Sequence, residues 1–114
     1  MASYKELTSI EAYADVMENT SGSPVLLFKH STTCPISAKA FEEFQSYLND
    51  AESPIDAYLV KVIEDRPVST YIAESTGVKH ESPQIFLLDH KQVTWHKSHN
   101  DITQQNIEQA VTGA

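Results

Sequence analysis

One cysteine occurs in the chain, Cys34, and three residues after it stands Ser37, within the segment FKHSTTCPISAKAF from Phe28 to Phe41. The spacing C-x-x-S is that of a dithiol redox motif in which oxygen replaces the second sulfur. The chemistry open to such a site is thiol–disulfide exchange through a single thiolate, the nucleophilic form of cysteine. A hydroxyl cannot attack a disulfide. A mixed disulfide formed on Cys34 therefore needs an external thiol to resolve it. A lone cysteine also serves elsewhere as a small buried hydrophobe; the place of Cys34 between a strand and a helix argues for reactivity instead.

The elements that must position this thiol follow from periodicity. VLLFKH, from Val25 to His30, is an apolar run suited to a buried strand. STTCP is a short connection, and Pro35 suits the first position of a helix, where its missing N–H costs nothing. Ile36, Ala40, Phe41, Phe44, Tyr47 and Leu48 make the apolar stripe of that helix. Cys34 thus falls at the N-cap, where a side chain accepts hydrogen bonds from N–H groups two or three positions on, here those of Ile36 and Ser37. The helix macrodipole adds about half a positive charge at the same end. Both effects favour the thiolate. The Ser37 hydroxyl either adds a hydrogen bond to the sulfur or faces water as an ordinary first-turn residue.

Around this unit the chain reads as α-β-α-β-α-β-β-α. A first helix, about Thr8 to Glu18, carries Leu7, Ile10, Tyr13, Ala14 and Met17 along one face, with capping-box spacing between Thr8 and Glu11. A second strand is predicted over Ala57 to Ile63. Pro67 opens a short helix with Val68, Tyr71 and Ile72 inward and Gly77 just past its end. QIFLLD and QVTWH form two strands joined by the tight turn His90-Lys91, and a final helix runs from Asn100 to Val111. The β-α-β start requires a right-handed crossover and a parallel pair, and the last two strands must form a hairpin. The expected fold class is α/β, a mixed four-stranded sheet flanked by helices.

The 114 residues suit a single domain spanning 1–114. Hydrophobic residues make up 40% and charged residues 21%, as in folded globular proteins. Lys and Arg number 8 against 16 Asp and Glu, a net charge of −8, which argues against nucleic acid or anionic membrane as a partner. Runs such as Val25 to Phe28 are far too short to span a bilayer. MASYKELTS has no apolar segment of the secretory kind. One cysteine cannot close an internal disulfide, and a cytoplasmic location fits.

Five histidines, His30, His80, His90, His96 and His99, raise the question of a metal, but none shows tight ligand spacing with Cys34, and no metal site is expected. His30 and His80 are the two placed to approach the sulfur, with solvated loop positions as the plainer assignment. Lys29, Lys39 and Lys79 could frame an anionic ligand; solvated lysines are the default. Trp95 and Phe86 read as sheet packing.

The element order, with a cysteine between the first strand and the next helix, resembles the thioredoxin fold. ESPQIF places Pro83 directly before the third strand, where thioredoxin-like proteins carry a cis-proline beside the reactive cysteine. In this comparison the extra N-terminal helix replaces the opening strand of thioredoxin. TCPIS, Thr33 to Ser37, together with TGVKHESPQ, Thr76 to Gln84, is similar to the monothiol bacilliredoxin C (YtxJ-type) family. The resemblance implies removal of bacillithiol from mixed disulfides on client proteins, with Cys34 as the reactive thiol. Thr33, Pro35, Ile36, Ser37, Ser82 and Pro83 would support the thiolate or dock the substrate. It implies no bound cofactor: bacillithiol is the co-substrate, and a separate reductase recycles bacillithiol disulfide.

Other functions compete. Ser31-x-x-Cys34 imitates the cysteine motif of peroxiredoxins, but Leu27 stands where those sites place a proline, and the only arginine is the distant Arg66. An iron–sulfur carrier of the monothiol glutaredoxin kind would share a cluster through Cys34, but such proteins carry glycine where this chain has Pro35. The third is a thioredoxin-like interaction module without redox activity.

Overall fold

The computed structural model describes residues 4–113. The elements are β1 (Lys5–Glu6), α1 (Ile10–Glu18), β2 (Val25–His30), α2 (Pro35–Asp50), β3 (Asp56–Lys61), α3 (Arg66–Thr76), β4 (Gln84–Asp89), β5 (Gln92–Ser98) and α4 (Gln104–Thr112). They build one five-stranded sheet in the order β1-β3-β2-β4-β5. β3 runs parallel to β1 and to β2, whereas β4 is antiparallel to β2 and to β5.

β2 is the central strand and is buried on both faces, which explains its unbroken apolar run. Side chains alternate along a strand. Leu26 and Phe28 point to one layer, with Leu59, Ile85 and Leu87 from the sheet, Ala40, Phe44, Tyr47 and Leu48 from α2 and Ile107 from α4. Val25 and Leu27 point to the other, with Val60, Phe86 and Leu88, Tyr13 from α1 and Val68 and Ile72 from α3. The expected mixed sheet with helices on both faces is present.

It has one strand more than the four expected. β1 is two residues long with both side chains exposed, and it pairs through Lys5↔Tyr58 and Glu6↔Leu59. So short a strand leaves no apolar pattern to read. The N-terminal helix follows an opening strand and does not replace it. Its N-cap is Ser9, whose Oγ accepts from Ala12 N at 3.1 Å, one residue beyond the expected Thr8. β3 stops at Lys61 instead of Ile63. The final helix starts at Gln104, capped by Thr103, because a 3₁₀ turn occupies His99–Asp101. In the β4–β5 turn both His90 (φ 51°) and Lys91 (φ 63°) are left-handed, as a two-residue hairpin of this hand requires. Buried Thr20 holds that turn, accepting His90 N at its carbonyl (3.1 Å) and Lys91 N at its Oγ1 (2.8 Å).

Phe44 is fully buried and stacks 5.1 Å from Phe28, joining α2 to the central strand. Phe44→Ala should lower stability by about 3–5 kcal/mol. Urea unfolding monitored by circular dichroism would measure it, and an unchanged midpoint would contradict this packing.

Candidate active site

β2 ends at His30, four residues before the thiol, and Ser31 to Thr33 make the bend. Cys34 is the N-cap of α2, with extended backbone (φ −105°, ψ 123°) and Pro35 following as the first helical residue. Its N–H donates to Ser31 O at 3.3 Å, and its carbonyl accepts the first helical bond from Ala38 N at 3.0 Å. The side chain is half-buried and makes no capping hydrogen bond with the first turn. Thr33, Pro35 and Ile36 around it are exposed, Ile36 to 44%.

Ser37 turns away from solvent and is fully buried. Its Oγ accepts Ser31 N–H at 2.9 Å and lies 2.8 Å from His30 Nδ1. The hydroxyl expected at the sulfur or in water is therefore engaged with the end of β2, fastening the first turn of α2 to the strand that feeds it. His30 is stacked on Phe41 at 4.7 Å and on Phe28 at 5.7 Å. Burial lowers its pKa; Glu64 opposes that effect and Lys61 adds to it. A neutral imidazole, whose Nδ1 can accept the Ser37 proton, suits this place.

The second half of the site comes from β4. The Lys29↔Gln84 register sets Pro83 beside the end of β2, at the sheet edge from which the Cys34 loop departs. The Ser82–Pro83 peptide bond is cis, and Pro83 is buried. Its carbonyl accepts His99 N at 3.1 Å, and Ser82 Oγ is buried without a hydrogen-bond partner. The loop before Pro83 is held from beneath. Gln84 Nε2 donates to Lys79 O at 3.0 Å, and Gln84 Oε1 accepts from Glu81 N at 3.4 Å.

Lys29, expected in solvent, is completely buried. It continues the phase of Val25 and Leu27 toward α3, and Nζ donates to Ser69 O at 3.1 Å and to His80 Nδ1 at 3.2 Å. Nζ also lies 5.8 Å from the Phe86 ring centroid, within cation–π range. Burial lowers its pKa to about 8. The signal was available in the sequence: a lysine inside a strand buried on both faces must itself be buried. Lys39 lies on α2, across the sheet, so Lys29 and Lys39 do not frame one ligand. Among the described residues no group of three or more His, Cys, Asp or Glu is placed to hold a metal ion.

A half-buried thiol at a helix N-cap, with a buried cis-proline at the neighbouring strand end, is the arrangement of a thioredoxin-fold thiol–disulfide oxidoreductase. Residues 5–107 match the monothiol bacilliredoxin BrxC family, and the chain belongs to that family. A solved structure described as an oxidoreductase with a thioredoxin fold is 38% identical, with a TM-score of 0.85 over 95% of this chain and 93% of the other. The thioredoxin of Malassezia sympodialis shares the fold at 15% identity and TM-score 0.72, covering 99% of this chain and 91% of the other. That of Fasciola hepatica does so at 9% identity and TM-score 0.73, covering 96% and 97%.

Two outcomes follow from these contacts. Ser37→Ala removes the acceptor of the Ser31 N–H and the partner of His30, and should cost about 1–3 kcal/mol, read as a lowered urea midpoint. For Lys29 the lowered pKa fixes the sign of a pH effect. Between about 8 and the ordinary lysine value of 10.5 the unfolded chain holds more protons than the folded one, so stability rises with pH there. Below that window the full cost of burying the charge is present. Relative to Lys29→Met, the wild type should gain up to about 1.4 kcal/mol per pH unit across the window. Urea midpoints of both proteins at a series of alkaline pH values test this; a constant difference would show that Lys29 is not buried as a cation.

Proposed function

We propose that this protein removes bacillithiol from mixed disulfides with protein cysteines, using Cys34 alone. The observation that carries the reading is the lone thiol at the N-cap of α2 in a chain of the monothiol bacilliredoxin family, with oxygen at the place of a resolving sulfur. The Cys34 thiolate attacks the bacillithiol sulfur of the client disulfide. The client sulfur leaves as a thiolate and takes a proton from water, and a Cys34–bacillithiol disulfide remains. A second bacillithiol thiolate then attacks the bacillithiol sulfur of that adduct. Cys34 is released as thiolate and bacillithiol disulfide departs, to be reduced by a separate enzyme. Ser82, next to the cis Pro83, offers backbone for docking the disulfide, and exposed Thr33 and Ile36 offer contact to the client. A reducing cytoplasm is the compartment in which such a cycle runs.

The test is intact mass after mixing the protein with a bacillithiolated peptide, with no other thiol present. One bacillithiol should appear on the protein and one free thiol on the peptide; Cys34→Ala should abolish both. Added bacillithiol should then discharge the adduct. An unmodified Cys34 with no released peptide thiol would refute the proposal.

A further inference from the structure

We infer that Lys29 is a positioning residue for exchange at Cys34: through Ser69 and His80 it holds the loop leading to Ser82 and Pro83 in register with the thiol. This rests on the reading of Cys34 as an exchanging thiol. No carboxylate lies within ion-pair distance of Lys29 among the described residues. A buried ammonium without a counter-ion costs stability, and a methionine would fill the same space without that cost. What a lysine adds is donors. They reach two separate elements, the Ser69 carbonyl of α3 and the His80 imidazole in the following loop.

Gln84, the cross-strand partner of Lys29, holds the residues on either side of His80, bonding Lys79 O and Glu81 N. Residues 79, 80 and 81 are thus each tied to a buried polar side chain from the sheet, and Ser82 and Pro83 come next. Lys29 also stands on the strand that leads into the Cys34 loop. One strand therefore sets both halves of the site. Exchange needs the attacking sulfur and the docked disulfide aligned to a fraction of an ångström, so slack in this loop acts on rate.

The contact makes a further demand. His80 Nδ1 must present a lone pair to the ammonium, so the imidazole must be neutral. Partial burial of the ring, Lys29 from β2 and Arg66 from α3 all oppose its protonation, burial most strongly, and Glu81 of its own loop favours it. Ser69 Oγ, 3.4 Å from Nδ1, adds an uncharged partner. A protonated ring would turn an N–H toward the ammonium and release the loop.

The experiment compares two reactions of Cys34 across the acid-to-neutral pH range. One is exchange with a bacillithiolated peptide, which needs docking; the other is alkylation by iodoacetamide, which needs the thiolate alone. Lys29→Met should slow exchange roughly tenfold, as expected for a lost charge-assisted hydrogen bond. It should leave alkylation unchanged and not lower the unfolding midpoint. In the wild type the ratio of exchange to alkylation should fall as His80 becomes protonated. His80→Asn keeps an oxygen acceptor near the Nδ1 position and does not titrate, so it should slow exchange less than Lys29→Met and make the ratio independent of pH. A Lys29→Met variant that exchanges at the wild-type rate, or slows both reactions equally, overturns the proposal. So does a flat ratio in the wild type, which needs no variant to fold. A wild type inert toward the disulfide would remove the exchange reading itself, whereas a reactive wild type matched by Lys29→Met removes only this inference.

Discussion

The antiparallel register of β2 against β4, with Lys29 opposite Gln84, is the constraint on which the rest of the molecule depends. It brings the end of one central strand beside the start of another. The chain leaves β2 toward Cys34 at the same sheet edge where it enters β4 through Pro83. A slip of one residue would reverse the facing of every side chain on the strand. It would put Lys29 among the aromatic rings of the α2 layer and Phe28 against α3. The two apolar layers fix the register from both sides, so the geometry of the site is inherited from the core.

Polar groups then refine what the core sets. Three buried side chains, Lys29, Ser37 and Gln84, do not contribute to apolar packing, and each ties a loop to a strand. Ser37 closes the bend before Cys34, and Lys29 and Gln84 close the loop before Pro83. Burying such groups is costly unless their hydrogen bonds are met. Their gain is local: each bond fixes backbone that the apolar layers do not reach. The cation is the costliest of the three, and that cost is the reason for looking to function for its explanation.

Much of this was legible in the sequence. The apolar run Val25–Phe28, Pro35 ahead of a helical stripe, and QIFLLD with QVTWH about a two-residue turn gave the architecture and the N-cap place of Cys34. TCPIS with TGVKHESPQ gave the family. The rest escaped for physical reasons. β1 is held by backbone pairing and one exposed ion pair, Glu6 to Lys61, and leaves no apolar signature. Thr8 and Ser9 are both capping residues, and the capping-box spacing to Glu11 pointed to Thr8, whereas Ser9, the better N-cap type, takes the role. The burial of Lys29 was implied by strand phase, yet lysine's usual preference for water hid it. The partners of Ser37 could not be read because a contact between a helix turn and a strand end depends on the path of the bend.

The hydroxyl at Ser37 joins the structural and chemical arguments. In a dithiol site the second sulfur must be free to attack, so it cannot serve as a fixed fastening of the bend. An oxygen carries no such duty. Here it accepts the Ser31 N–H and meets His30, and so ties the first turn of α2 to the end of β2. On the proposed reading, resolution passes to a thiol from outside, which must approach Cys34 in line with the bond it breaks. The half-exposed sulfur and the exposed Thr33, Pro35 and Ile36 leave that approach open. Replacing sulfur by oxygen thus exchanges an internal resolving step for a more rigid turn, and a rigid turn suits a thiol that waits as an adduct for its second partner.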